Sequence, residues 1–127
     1  EMSASLVGSE MCIRDRFYPV ISFMPQLTHT DTRRSLLGPN FTTHDEILFS
    51  NELQVTPETP RTWIGFSHDD DLVPTPNGLR YYEALRNAGV PASLHIYPTG
   101  GHGWGFKSDF RYHDEMLADL ASWLESF

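Results

Sequence analysis

Thr62-Trp63-Ile64-Gly65-Phe66-Ser67-His68-Asp69-Asp70-Asp71-Leu72-Val73-Pro74 decides the fold class. Its first six residues are almost continuously apolar. Such a run suits a strand buried on both faces, as in a parallel sheet. The strand ends in three acids, and Thr75 then caps a helix with Pro76 at its first position, the asymmetry expected at a helix start. Leu79, Tyr82, Leu85 and Ala88 recur at helical spacing and predict its buried face, and Gly89 supplies a left-handed stop. Val90-Pro91 turns the chain into Ala92-Ser93-Leu94-His95-Ile96-Tyr97, whose alternation predicts the next strand. Beyond it stands Thr99-Gly100-Gly101-His102-Gly103-Trp104-Gly105-Phe106. A last helix follows, with Phe110, His113, Leu117, Leu120, Leu124 and Phe127 stepping by three and four and Ser108 or Asp109 as its cap. Strand, helix, strand, helix implies right-handed crossovers between parallel strands, and so an α/β fold.

Upstream of Thr62 the signals are weaker. Phe17-Tyr18-Pro19-Val20-Ile21-Ser22-Phe23 reads as the tail of a buried strand whose regular part stops near Pro19, because proline cannot donate to a ladder. Asp31 or Thr32 can cap a short helix over Arg33-Arg34-Ser35-Leu36-Leu37, stopped by Gly38-Pro39. Thr42 or Thr43 can cap a second, from His44 to Asn51, with Ile47, Leu48 and Leu53 as apolar contacts. Thr56-Pro57-Glu58-Thr59-Pro60 is an extended connector. Residues 1–16 show no useful periodicity and lack the basic start and apolar core of a signal peptide. From Ser3 to Arg16 they closely resemble a translated sequencing adapter. Two segments are therefore expected: a non-native stretch over 1–16 and a domain over 17–127 cut where Phe17 begins.

Composition narrows the function classes. A hydrophobic content of 39% with 20% charged residues is that of a globular chain, not a disordered one. Net charge is −8 with scattered Lys and Arg, which argues against nucleic acid and anionic membrane as partners. No run of about eighteen apolar residues is present to span a bilayer. The single cysteine, Cys12, cannot form an internal disulfide. It lies in the suspect segment, so compartment cannot be argued from it.

Chemistry concentrates in two loops. Functional loops of open parallel sheets lie beyond the carboxyl ends of the strands, and neighbouring strands are about 4.8 Å apart. The acidic run and the glycine-held histidine are thus placed to meet. A carboxylate that fixes an imidazole and an imidazole that takes a proton from a nucleophile are two parts of a serine-hydrolase triad. Gly100 and Gly101 permit the positive φ that aims His102 back over the sheet edge. Trp104 and Phe106 can form a stacking wall for a sugar or an acyl group, or else cover the sheet edge as core aromatics do. A solvated acidic turn and a loop histidine bonded to a carbonyl are the plainer readings of the other two features. Arg33 and Arg34 read as one structural ion pair and one surface charge, and His95 and His113 as packing residues. The acids with His68 and His102 lack the ligand pattern of a calcium or zinc site, so no metal or cofactor is expected.

From Phe17 onward the chain resembles the C-terminal part of the α/β-hydrolase fold, about three parallel strands with flanking helices. More narrowly it is similar to acetyl-xylan and feruloyl esterases and to the related dienelactone-hydrolase and prolyl-oligopeptidase-like enzymes. Phe17-Tyr18-Pro19-Val20-Ile21-Ser22 matches the segment after the nucleophile helix of those esterases. Arg33-Arg34-Ser35-Leu36-Leu37-Gly38 matches a Ser-Arg-Arg-x-Leu-Leu-Gly stretch, with Thr32 in place of the serine. Phe66 to Pro74 aligns with a His-Gly-x-x-Asp-x-x-Val-Pro motif, although Phe66 and Ser67 depart from its leading pair. Tyr81-Tyr82-Glu83-Ala84-Leu85 and Gly100-Gly101-His102-Gly103 also match. The resemblance implies Asp70 as triad acid, with Asp69 or Asp71 as rivals, and His102 as base. It implies a Gly-x-Ser-x-Gly elbow before Phe17, and no such motif occurs in these residues. The expected substrate is a small-molecule or polysaccharide ester, with acetyl or related groups on plant polysaccharide foremost. A prolyl-oligopeptidase-type serine peptidase shares this half of the fold, and a catalytically silent module is the remaining alternative.

Overall fold

The structure, a computed structural model, describes residues 13–126. Cys12 and Phe127 lie outside that span, as do the other residues of 1–12. Three strands form one sheet in the order β1-β2-β3, with both pairings parallel. β1 is Ile13–Phe17, β2 Arg61–Ser67 and β3 Ala92–Tyr97. Between β1 and β2 come α1 (Thr30–Leu37), α2 (Thr43–Phe49) and a 3₁₀ turn at Asn51–Leu53. The β2–β3 crossover is α3 (Pro76–Asn87), and α4 (His113–Leu124) closes the chain. This is the expected parallel α/β arrangement.

β2 is the central strand and is buried from Thr62 through Ser67. Its alternation divides the core in two. Ile64 and Phe66 pack with Ile21, Val73, Tyr81, Leu85 and Val90 on the face that α3 covers. Trp63 packs with Tyr97, Trp104, Phe110, Met116 and Leu120 on the face that α4 covers. Each large side chain removed from water in this way contributes roughly 1.5–3 kcal/mol before entropy is counted. α3 approaches β2 closely enough that a β-carbon on Gly78 would stand 2.5 Å from the Phe66 ring.

Several elements begin or face differently from the sequence expectation. The first strand, expected to end near Pro19 with Phe17 onward as its tail, occupies Ile13–Phe17, in register from Ile13↔Arg61 to Phe17↔Gly65. Residues 13–16 of the adapter-like run therefore supply strand backbone, and Arg14 Nη1 donates to Tyr81 Oη at 2.8 Å. The strand stops before Pro19, where Tyr18 takes a positive φ of 38°. Ile21, Ser22 and Phe23 are buried without being strand. On α3 the inward residues are Asn77, Gly78, Tyr81 and Leu85, and Leu79 is 49% exposed. On α4 they are Met116 and Leu120, and the helix is capped at Tyr112 rather than Ser108 or Asp109. α1 is capped at His29, not Asp31 or Thr32, whereas Thr42 and Asp45 form a reciprocal capping box on α2. Arg33 pairs with the buried Glu46 at 2.7 Å, and Arg34 is exposed.

One buried amide locks these parts together. Asn77 Oδ1 accepts from the backbone of Ile21 (3.1 Å) and Ser22 (2.9 Å). Its Nδ2 donates to Leu27 O (2.6 Å) and Pro74 O (2.8 Å). The loop after β1 is thereby fastened to the first turn of α3, directly behind the acidic run.

Candidate active site

The acidic run leaves the carboxyl end of β2 and the histidine loop leaves that of β3. Backbone pairing continues past the end of β2, with His68 N donating at 2.7 Å to the carbonyl of Tyr97, the last residue of β3. Val73 is buried in the α3-side core and anchors the acidic loop. Thr75 does not cap α3 with its side chain; its hydroxyl donates to Ser67 O at 3.2 Å and ties the loop to the end of β2.

Within this frame Asp70 turns inward. Its Oδ1 accepts from Leu72 N and Val73 N, each at 2.9 Å. Its Oδ2 meets His102 Nδ1 at 2.8 Å. The Asp70 side chain is 0% exposed and that of His102 is 28% exposed. An ionised carboxylate can only accept, so Nδ1 carries the proton and donates, which leaves the Nε2 lone pair for another partner. A buried acid satisfied by two backbone donors and an imidazole is a fixed orienting group, and a partly exposed imidazole is a usable base.

The two other acids behave differently. Asp71 is exposed. Asp69 crosses to the opposite loop, its Oδ1 accepting from Gly101 N at 2.9 Å and its Oδ2 from Gly100 N at 3.3 Å. These donors, Gly101's above all, hold the Asp69 carboxyl below its ordinary value of 3.8 against a smaller desolvation effect. All four loop glycines take positive φ. At Gly100 no side chain would fit, because a β-carbon would stand 2.5 Å from the Phe110 ring and 2.8 Å from Ser67 Oγ.

The two aromatics of the loop divide. Trp104 is 4% exposed and stacks on Phe110 with ring centroids 4.3 Å apart. It also meets Tyr97 and Tyr18 edge to face. It nonetheless backs a cleft of about 350 Å³ beside His102, with Gly103, Lys107 and Arg111 among its lining residues. Phe106 is 61% exposed and leans on Phe17 at 5.1 Å. Tyr18 supports the imidazole itself, with its ring centroid 4.4 Å from that of His102. Neither Tyr18 nor the grip of Asp69 stood out in the sequence. The run of three acids hinted at the second, whereas nothing local marks a tyrosine for positive φ.

His95 and His113 stand apart from this site. His95 stacks on Trp63 and bonds Ser93 Oγ through Nε2 at 2.8 Å, and His113 begins α4. Among the described residues no group of three or more His, Cys, Asp or Glu could hold a metal ion, and no helix is long and apolar enough to cross a membrane.

A sequence model of the prolyl oligopeptidase family matches residues 21–127. An acetylxylan esterase of Xylanibacter ruminicola is 42% identical over 114 residues, which is 87% of this chain and 24% of that protein. Endo-1,4-beta-xylanase B of Butyrivibrio fibrisolvens is 37% identical over 92 residues, 72% of this chain and 14% of that protein. The crystal structure of an acetyl ester-xyloside bifunctional hydrolase from Caldicellulosiruptor lactoaceticus superposes with a TM-score of 0.85 at 36% identity. That superposition covers 90% of this chain and 42% of the other. The chain thus spans about a quarter or less of the two relatives and under half of the solved structure.

Proposed function

The chain belongs to the prolyl oligopeptidase family, and from that premise we propose that it carries the acid and the base of a serine carboxylic-ester hydrolase. The observation that carries this reading is the 2.8 Å bond between His102 Nδ1 and a buried Asp70. Esterase relatives at 42% and 36% identity direct it toward acetyl or related esters on plant polysaccharide. The sequence contains no Gly-x-Ser-x-Gly, so the nucleophile is assigned to the part of the hydrolase outside these residues.

In that enzyme the serine hydroxyl attacks the ester carbonyl as His102 Nε2 takes its proton. The C–O bond to the sugar breaks and His102 returns the proton to the departing alkoxide. Water then repeats the sequence on the acyl-enzyme, releasing the acid and regenerating the serine. Asp70 holds the ring orientation and stabilises the imidazolium throughout. The oxyanion would be met by backbone N–H groups. Phe106, exposed on the same loop as His102 and leaning on Phe17, is the proposed apolar wall for the sugar or acyl group.

The isolated chain should not hydrolyse p-nitrophenyl acetate faster than a histidine-containing peptide. Robust turnover abolished by His102→Ala would overturn the assignment of the nucleophile to residues elsewhere. The family match also keeps a serine peptidase in view as the second reading. It predicts cleavage of proline-containing peptides, and not of acetylated xylan, once a nucleophile is supplied.

A further inference from the structure

The acidic loop grips the histidine loop twice, and only one grip belongs to the triad. Asp70 takes the imidazole. Asp69, one residue earlier, takes the backbone N–H groups of Gly101 and Gly100 at 2.9 and 3.3 Å across 32 and 31 positions of sequence. Gly100 and Gly101 have φ of 144° and 61° and no side chains to restrict them. Left to themselves they would give the loop the greatest freedom of any pair in the chain. On the other side Gly100 abuts Phe110 and Ser67 Oγ. The peptide run is therefore held between a carboxylate outside and an aromatic ring inside. His102 follows directly.

We infer that Asp69 is a positioning residue for His102: by holding the Gly100–Gly101 backbone it sets where the imidazole stands relative to Asp70. The inference rests on the reading of His102 and Asp70 as base and acid. Asp69 touches neither the ring nor any reacting atom, and acts through the loop alone. The depressed carboxyl of Asp69 agrees with this, since both donors favour the ionised form. His68 is the charged neighbour that acts on Asp69, and Lys107, Asp109 and Arg111 line the cleft that Gly100 and His102 share.

Nuclear magnetic resonance of the full 127-residue chain, labelled with ¹⁵N in histidine and glycine, tests it. In the unaltered protein the His102 ring should show the Nδ1–H tautomer, with slow exchange of that proton near neutral pH. Asp69→Ala should shift the Gly100 and Gly101 amides, mix the two ring tautomers and speed ring-proton exchange several-fold. Asp69→Asn keeps one acceptor for Gly101 and should restore part of the unaltered signature. It carries the same test if Asp69→Ala fails to fold. Asp70→Asn separates the proposal from its premise, because it should abolish the tautomer preference whatever Asp69 does. Unchanged ring signals in both Asp69 variants, with Asp70→Asn altered, would overturn the role of Asp69 and leave the acid–base pair standing. Unchanged ring signals in Asp70→Asn would overturn the pair, and the role of Asp69 with it.

Discussion

Trp104 and Phe106 are two positions apart and chemically alike, yet one is core and the other surface. Truncation should separate them. Trp104→Ala removes a ring stacked on Phe110 and should cost about 3–5 kcal/mol in denaturant unfolding. Phe106→Ala should change stability by roughly 0.5 kcal/mol or less; in an active enzyme its effect is expected in KM. A large loss of stability from Phe106→Ala would remove it from the substrate wall. At this scale the sequence showed the kinds of group and missed their long-range partners. That Asp70 and His102 meet was legible because strand ends bring loops together and the resemblance to a His-Gly-x-x-Asp-x-x-Val-Pro motif singled out the middle acid. The bonds from the glycine backbone to Asp69 and the tilted ring contact of Tyr18 with His102 join residues far apart in sequence, and no local pattern encodes them.

α3 carries the most informative element-scale substitutions. Gly78→Ala should gain up to about 1 kcal/mol in helix propensity. Its β-carbon, however, would enter the space of Phe66, which is fully buried and cannot yield. Overpacking of this kind costs about 1–3 kcal/mol, so the net change should be destabilising, read as a lower urea midpoint at unchanged m. Asn77→Ala should cost about 3 kcal/mol or more by the same measurement, because it leaves the buried amides of Ile21 and Ser22 without an acceptor. Helix spacing alone placed Leu79 and Tyr82 inward, whereas Tyr81 and the small Gly78 face the sheet. Adjacent tyrosines are indistinguishable by hydrophobicity, and only the close approach over Phe66 chooses between them. The same one-residue ambiguity at Met116 and Leu117 accounts for α4. β2 was read correctly because burial on both faces leaves nothing for periodicity to confuse.

Among the described residues, one sheet separates two cores and holds both loops at its carboxyl edge. Tyr97 links the α4-side core to solvent through a 2.7 Å bond from its hydroxyl to Asp119. Burial first, and then Asp119 and Glu115, push its phenol well above the ordinary value of 10. The folded chain therefore keeps a proton that the unfolded chain releases above that value. This contribution is intact below pH 10, and stability should fall as pH rises beyond it. Urea midpoints at about pH 9 and about pH 11 should show the decline, and Tyr97→Phe should make it shallower. On the proposed function, these residues bring a working acid and base to an esterase. A hybrid in which these residues replace the matching segment of the Xylanibacter ruminicola acetylxylan esterase puts this to the test. Acetate release from acetylated xylan is then the measurement. The hybrid should be active, and Asp70→Asn should lower its kcat on the order of 10⁴-fold while it stays folded. Comparable acetate release by the His102→Ala or Asp70→Asn hybrid would contradict the assignment of base and acid.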